Sequence, residues 1–311
     1  MNGITKQSTI KRLLLCVWFF FFIFLFIFGD FFPIPQNKSF IVGVDPRAKK
    51  IIATEENRNL FVNIFSSVAQ TTLEYITNNS LLFLATIHPS QTSLSISPGM
   101  RREEIVSLLS KKLLWNESEV KKFLNVKTFL KIKDAEGFYY PGTYLVSPDM
   151  PGDEVARMMI ERFSEKIISL YGTSTQEIID LPTAVKIASI IEREAGGKHD
   201  MRLISGIIWN RLFANMSLDI DATLQYAKGT EKNWWPKVNP EDKYINSPFN
   251  TYQNKGLTPT PIANPGRASI EAALNPRKTD CLFYLHDKYR RIHCAVTYKE
   301  HEKNIARYYG R

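Results

Sequence analysis

The sequence predicts an α+β protein built in three parts. A long apolar run near the N-terminus predicts a single transmembrane helix within residues 1–38. Short strand-like and helix-like segments mix in residues 39–133, which predicts a small α+β module. Residues 134–311 combine helical periodicity with stretches rich in Pro, Gly and Asn, so we expect a larger α+β domain with long loops.

The N-terminal run has the composition of a membrane anchor. Residues 13–28 are all apolar, and Lys6, Lys11 and Arg12 precede them. Neighbouring apolar residues extend the run to the ~20 residues that span a bilayer. No small-residue cleavage site follows, which favours an uncleaved anchor over a removed signal peptide. The flanking cations predict one pass through the cytoplasmic (inner) membrane, with the N-terminus inside. Everything after about Pro33 is then expected on the periplasmic or extracellular face.

The net charge limits the classes of partner. Forty Lys and Arg residues against 31 Asp and Glu residues give a formal charge of +9. The cations are scattered in short pairs and no RNA- or DNA-binding motif occurs, so no nucleic acid partner is expected. Anionic lipid headgroups or an anionic wall polymer suit such a surface, and so does a basic surface without a specific partner.

The module at residues 39–133 contains a strand, a Pro98-Gly99 turn and an amphipathic helix in succession. This unit, at about residues 93–125, resembles a LysM-like fold, which holds N-acetylated glycans. A rigid spacer would show the same pattern. The other elements that we expect in the module are strands at 40–44 and 51–53 and helices at 60–76, 103–114 and 117–124.

The most informative segment is a predicted helix that begins after Asp180 and ends before Gly196. Asp180 is a favourable N-cap, Pro182 fits the first turn, and a glycine pair stops the apolar pattern. The apolar residues at helical spacing are Val185, Ile187, Ala188, Ile190 and Ile191. This periodicity predicts about four turns with one face in the core.

Two glutamates lie at the edges of this apolar face. At about 100° per residue, Glu194 falls between Ile187 and Ile190. Glu192 lies on the opposite edge, and Arg193 is expected to point to water between them. A carboxyl group between two isoleucines loses hydration, which raises its pKa and lets it donate a proton near neutrality. Glu194 is therefore our candidate general acid. The alternative is that both glutamates form surface ion pairs.

Further along the chain, aromatic and irregular segments suggest a polar ligand. Residues 136–144 contain a carboxylate, hydroxyls and several aromatic rings, which suit a sugar-binding cleft and equally a core hairpin. A helix is predicted after Asp200. The irregular segments that follow it contain the Trp234–Trp235 pair, residues 247–252 and residues 256–266. Loops rich in Asn, Thr and Tyr are where contacts to polar ligands concentrate.

The C-terminal part reads as a hairpin and a helix. Residues 281–298 alternate like two strands with a turn near 287–290, and a helix is predicted at 299–308. Cys281 and Cys294 lie on the two strand-like segments, so a disulfide and two unpaired thiols both remain open. No metal-ligand spacing and no nucleotide-binding loop occur in the sequence, so neither a metal nor a cofactor is expected.

Six motifs in fixed order carry a resemblance to a known family. They read E-G-F-x-x-P-x-T-Y, A-S-I-I-E-x-E, N-R-L, D-x-T-x-x-Y, S-P-x-N-T-Y and G-L-x-P-x-P-I-x-N-P-G. Over about residues 93–304, behind one N-terminal anchor, the chain resembles the endolytic murein transglycosylase family, also called MltG or YceG-like. Phe249 and Thr258 depart from the pattern, because the family usually has Tyr and Pro at these positions.

The resemblance implies a membrane-anchored bacterial lytic transglycosylase. Such an enzyme cleaves the β-1,4 bond between N-acetylmuramic acid (MurNAc) and N-acetylglucosamine (GlcNAc) in peptidoglycan and leaves a 1,6-anhydroMurNAc end. It would terminate or trim nascent glycan strands, so the implied partners are those strands, the bacterial inner membrane and cell-wall synthesis or division proteins. Matched to the motif, the catalytic acid is the second glutamate of the E-x-E pair, Glu194.

The residues that we expect to hold sugar hydroxyl and acetamido groups around Glu194 come from the same motifs. They are Glu136, Tyr144, Glu192, Asn210, Asp221, Thr223, Asn250, Thr251 and Tyr252. For each of these, a turn, cap or core hydrogen bond is the alternative role.

Two other functions remain open at this stage. In a hydrolytic muramidase, Glu192, Asp219 or Asp221 would activate water and produce a reducing end. In a non-catalytic, membrane-anchored glycan-binding or division scaffold protein, the LysM-like unit and the aromatic segment would bind glycan without cleaving it.

Overall fold

The computed structural model describes residues 40–52, 91–126 and 134–310, in which short antiparallel strand pairs lie among many helices. The helices are α1 (Arg102–Leu113), α2 (Glu117–Leu124), α3 (Gly152–Lys166), α4 (Thr173–Ile178), α5 (Leu181–Glu194), α6 (Met201–Phe213), α7 (Asp221–Lys228), α8 (Arg267–Leu274) and α9 (Tyr298–Tyr309). The strands are β1 (Val44–Asp45), β2 (Lys50–Ile51), β3 (Thr92–Ile96), β4 (Gly142–Val146), β5 (Phe283–His286) and β6 (Ile292–Ala295). This mixture is compatible with the predicted α+β class.

The region after residue 90 begins with the β3–β4 pair. Thr92 lies opposite Val146 and Ile96 lies opposite Gly142 in antiparallel register. Alternate side chains of β3 enter the core, so that Leu94 and Ile96 are buried, as expected for a strand with one buried face. Helices α1, α2 and α3 cover that face with their own apolar side chains.

Strand β4 lies beyond residue 133, where we expected one part of the chain to end. Strand β4 and helix α3 share one core with β3, α1 and α2. The division of the chain near residue 133 remains a prediction. The strand, helix, helix, strand order contains the predicted strand-turn-helix unit, and its LysM-like character remains a prediction. Gly152 starts α3 against α2, since a Cβ atom there would lie 2.1 Å from the backbone oxygen of Glu119.

A second core forms around α5, α6 and α8. The Asp180 side chain caps α5 as predicted, because it accepts a hydrogen bond from the Thr183 N–H at 2.8 Å. Ile187, Ile190 and Ile191 are fully buried on the inner face of α5. The helix ends at Glu194, so the predicted length and burial of this segment are confirmed.

The C-terminal hairpin and helix are also confirmed. Strands β5 and β6 pair antiparallel in register, and a disulfide joins Cys281 to Cys294. Helix α9 begins with a capping box in which the Thr297 side chain and the Glu300 side chain each accept the other's backbone N–H.

Strands β1 and β2 are shorter than the expected segments at 40–44 and 51–53. Gly43, just before β1, donates its N–H to the carbonyl of Leu274 at the end of α8, and its own carbonyl accepts the Ile52 N–H at 2.8 Å. The helix expected at 60–76 and the apolar run at 13–28 lie outside the described residues. Within the described ranges, no helix combines the length and apolar character needed to cross a membrane.

Candidate active site

Helix α5 carries Glu194 in its last turn, at the edge of the second core. The three buried isoleucines of α5 fix the helix, and Glu194 itself is half-buried. After Glu194 the backbone becomes extended at Ala195, so the carboxyl group lies where the helix gives way to a loop. A side chain in this place can be desolvated by its neighbours and still reach a ligand.

Two donors from distant parts of the chain contact the Glu194 carboxyl group. Tyr284 of β5 donates its hydroxyl to Oε2 at 2.7 Å. The backbone N–H of Ala222, in the first turn of α7, points to Oε1 at the longer distance of 3.4 Å. The carboxyl group is therefore held at one oxygen by a strong bond and at the other by a weak one.

Burial raises the pKa of Glu194, as the apolar flanks predicted. The hydrogen bonds from Tyr284 and Ala222 act in the opposite direction, because donors favour the carboxylate. The negative charge of Asp221 raises the pKa further, and His286 lowers it. Desolvation is the largest of these effects, so Glu194 holds its proton to higher pH than an exposed glutamate.

Asp221 and Tyr252 lie next to this carboxyl group and contact each other. Tyr252 donates its hydroxyl to Asp221 Oδ1 at 2.6 Å. Asp221 is exposed at the start of α7, beside the Ala222 N–H that faces Glu194. Burial and the Asp221 carboxylate raise the pKa of Tyr252, which therefore remains a neutral phenol. These are the two predicted substrate-binding residues that the structure brings to Glu194.

Glu192 has a different environment. Its Oε2 accepts the backbone N–H of Gly266 at 2.9 Å and the hydroxyl of Ser269. Gly266 is the N-cap of α8, so the carboxylate satisfies free donors at a helix N-terminus, where negative charge is favourable. The hydrogen bonds of Glu192 thus hold the start of α8 against α5.

Glu136 is fully buried and belongs to an internal network. It accepts the Arg102 N–H at 2.9 Å, the Asn264 amide at 2.9 Å and the Tyr226 hydroxyl at 3.4 Å. Burial raises the pKa of Glu136 to about 8. Phe138 and Tyr139 of the same motif are also buried, so these residues belong to the core, which is the second of the two roles considered for this segment.

Three other residues that we expected to contact the sugar form hydrogen bonds within the protein. The Tyr144 hydroxyl donates to the backbone carbonyl of Tyr140 and is buried. Asn210 donates to the backbone carbonyls of Thr279 and Cys281, which ties α6 to the start of the hairpin. Thr223 is buried and donates to the Ile220 carbonyl.

Asn250 and Thr251 are buried organisers of the loop that carries Tyr252. The Asn250 amide donates to the carbonyls of Lys243 and Ile245. Thr251 accepts the Ile220 N–H at 3.0 Å, which ties this loop to the start of α7. Both residues therefore position Tyr252 and Asp221 instead of facing outward themselves.

The prediction for Arg193 was wrong. Its guanidinium lies 3.7 Å from the ring centre of Trp235 and donates to the carbonyl of Gly99 at 3.3 Å. Arginine stacks readily on aromatic rings. The loop that carries Trp235 therefore covers the face of α5 that we expected to be in water, and a helical wheel of α5 alone does not include that loop. Trp235 in turn donates to Glu104 of α1 at 3.2 Å.

The family comparison agrees with this arrangement. Residues 69–307 match the YceG-like family over more than half of the chain. The chain belongs to the YceG-like family. It is 37% identical over 174 residues to the endolytic murein transglycosylase of Bacillus subtilis, an alignment that covers 56% of this chain and 48% of that protein. The endolytic murein transglycosylase of Streptococcus pneumoniae is 27% identical over 196 residues, covering 60% of this chain and 36% of that one.

A solved structure shares the fold. The crystal structure of a YceG-like protein from Listeria monocytogenes superimposes with a TM-score of 0.58 at 29% identity, over 68% of this chain and 75% of that one. The YceG-like chain described here spans less than half the length of the curated relatives named above.

Sequence reasoning missed Tyr284, His286 and Asp200 in this YceG-like site. His286 contacts Asp200 at 2.8 Å, and Asp200 also accepts the N–H groups of Gly196 and Gly197. Asp200 thus orders the loop after Glu194, although we assigned it only to a helix start. The alternation of β5 predicted a hairpin, but no local signal connects a strand to a carboxyl group 90 residues earlier.

Within residues 40–52, 91–126 and 134–310, no three His, Cys, Asp or Glu side chains are grouped as metal ligands would be. One cavity, between α1 and Trp234, is lined by residues that do not include Glu194.

Proposed function

We propose that this YceG-like protein is a membrane-anchored lytic transglycosylase that cleaves the β-1,4 MurNAc-GlcNAc bond of peptidoglycan glycan strands and leaves a 1,6-anhydroMurNAc end. The observation that carries the proposal is the half-buried Glu194 carboxyl, whose pKa is raised by burial between Tyr284 and the start of α7. The names of the Bacillus and Streptococcus relatives support the substrate class.

The reaction needs one group that first gives and then takes a proton. Neutral Glu194 donates its proton to the glycosidic oxygen while the bond from that oxygen to C1 of MurNAc breaks. The resulting carboxylate then accepts the proton of the muramoyl 6-hydroxyl, whose oxygen bonds to C1 and closes the anhydro ring. No water is consumed, and Glu194 ends protonated as it began.

The electrostatic setting suits both steps. A raised pKa favours the protonated form of Glu194 before the reaction, while the Tyr284 hydroxyl and the Ala222 N–H stabilise the carboxylate once it forms. Asp221 places a negative charge beside the position where positive charge develops on C1 and the ring oxygen. Tyr252 fixes the orientation of Asp221.

A hydrolytic muramidase is the second candidate, and Asp221 is the observation that favours it. Hydrolysis needs a second carboxylate to activate water. Glu192 is bound to the N-terminus of α8, and Asp219 forms an ion pair with Arg211 at 3.0 Å. Among the described residues, Asp221 contacts only the Tyr252 hydroxyl and remains exposed, so it is the carboxylate that such an enzyme would use.

The anchor belongs to the same proposal. The apolar run at residues 13–28 with its basic N-terminal flank supports insertion into the inner membrane with the site outside. The Cys281–Cys294 disulfide is consistent with an oxidising compartment. In that setting the substrate is nascent glycan, and the cell-wall synthesis machinery is the expected neighbour.

Mass spectrometry of the products tests the proposal. Full-length protein in detergent is incubated with un-crosslinked glycan strands, and an anhydro product is lighter by one water than a hydrolytic product. We expect the wild type to give the anhydro product, Glu194→Gln to give none, and Glu161→Gln, an exposed glutamate on α3, to behave as wild type.

The outcomes separate the candidates. Asp221→Asn should slow the reaction and still give the anhydro product. A reducing end that disappears in Asp221→Asn would establish the muramidase instead. Release of no fragment by the wild type, together with a Glu194→Gln variant that keeps its biological effect, would establish the non-catalytic scaffold protein.

A further inference from the structure

The β5–β6 hairpin lies across the Glu194 carboxyl group and contacts it through one side chain. We propose that Tyr284 is a positioning residue for the acid, and that it makes Oε1 of Glu194 the oxygen that carries the transferred proton. The proposal rests on the function proposed above and specifies how the acid is oriented for it.

The contact is well formed. The Tyr284 hydroxyl lies 2.7 Å from Glu194 Oε2, a typical length for an O–H···O hydrogen bond. Burial and the neighbouring carboxylate raise the pKa of Tyr284 well above its ordinary value. The side chain is therefore a phenol, and a donor, at every pH at which a glutamic acid titrates.

The two oxygens of Glu194 are unequal because of this bond. A donor prefers the carbonyl oxygen of a neutral carboxyl group, so Oε2 takes that role when Glu194 is protonated. Among the residues that the structure describes, Oε1 has only the long 3.4 Å contact with the Ala222 N–H, and it is the oxygen left to carry the proton. Ala222 follows Asp221, so the glycosidic oxygen is expected to approach from the side of Asp221 and Tyr252.

Tyr284 is held from both sides. Arg211 donates to the carbonyl of Leu282 at 2.6 Å, two residues before it in the chain. His286, two residues after it, contacts Asp200, which also binds the loop that follows Glu194. The same segment that carries the acid therefore also anchors the strand that carries Tyr284.

The charged and titratable groups near the acid come from several elements. Asp221 on α7 raises the pKa of Glu194 and His286 on β5 lowers it. Arg193 on α5 and Tyr252, in the loop between α7 and α8, also interact with the charge of Glu194. The Tyr284→Phe substitution removes one hydroxyl and leaves each of these groups in place, so its effect isolates the single hydrogen bond.

The experiment compares Tyr284→Phe with wild type in the full-length protein. The loss of a hydrogen bond to a charged group should lower kcat roughly 10- to 100-fold, with little change in KM. The bond favours the carboxylate, so its loss should move the alkaline limb of the kcat/KM profile to higher pH. The 13C chemical shift of the Glu194 carboxyl, assigned with Glu194→Gln, should show the same upward shift of its midpoint without any turnover.

Tyr289→Phe is the matched control, because Tyr289 lies exposed at the tip of the same hairpin. We expect this variant to keep wild-type kcat, KM and carboxyl midpoint. An unchanged midpoint in Tyr284→Phe would overturn the role of Tyr284, whether or not glycan is cleaved. If Glu194→Gln were inactive while Tyr284→Phe kept full kcat, the proposed function would stand and this inference would fail.

Discussion

The buried Glu136 should make the stability of this protein fall as pH rises. Burial raises its pKa from 4.5 to about 8, so between these values the folded state holds a proton that the unfolded chain has released. A group that binds its proton more tightly when folded contributes stability below its unfolded pKa and loses it as pH rises through its folded pKa. Linkage with these two pKa values gives a loss on the order of 3–4 kcal/mol between pH 5 and pH 8.

Glu136→Gln isolates this contribution. The amide oxygen can still accept from Arg102 and Asn264. The amide N–H then faces the Tyr226 oxygen, whose hydroxyl can rotate from donating to Glu136 to accepting from the amide. The assay is urea denaturation of the wild type and the variant at pH 5 and pH 8. We expect the wild type to lose roughly 3–4 kcal/mol more than the variant over this range. Equal losses in both proteins would refute the assignment of a buried proton to Glu136.

Three further predictions concern the elements around the site. Glu192→Ala should lower the free energy of unfolding by about 1–3 kcal/mol, because Gly266 and Ser269 lose their acceptor at the start of α8. Urea denaturation midpoints measure this loss, with Glu161→Ala as the control. A Glu192→Ala midpoint equal to that of the wild type would contradict the prediction. Reduction of the Cys281–Cys294 disulfide, which spans 13 positions, should lower stability by up to about 3 kcal/mol, and the double serine variant should no longer respond to reductant. Arg193→Met should lower the free energy of unfolding by about 1–2 kcal/mol, because the contact with the Trp235 ring is lost. The same substitution should change the tryptophan fluorescence. Unchanged fluorescence would contradict the contact.

The features that were predicted most accurately are those that depend on residues close together in the sequence. The cap, length and buried face of α5 follow from Asp180, the apolar spacing and the glycine pair, and the structure confirms them. The raised pKa of Glu194 was also predicted, from the apolar residues that share its helix. The C-terminal hairpin was predicted because its two strands are close in sequence.

Features that depend on distant pairing were missed. A carboxylate among aromatic residues has the same sequence pattern whether it faces a ligand or, like Glu136, a buried network. The environment of Arg193 depends on a loop more than 40 positions later, as its contact with Trp235 shows. Tyr284 is brought to Glu194 by the packing of the hairpin on α6, and periodicity carries no information on such contacts.

Whether Glu194 carries a proton near neutrality can be measured directly in the resting full-length protein. The 13C chemical shift of its carboxyl group, followed against pH and assigned by its loss in Glu194→Gln, gives the midpoint without substrate. We predict a midpoint clearly above the ordinary value of 4.5, because burial outweighs the two donors. A midpoint at or below 4.5 would mean that Glu194 is a carboxylate at working pH and cannot be the acid that cleaves glycan.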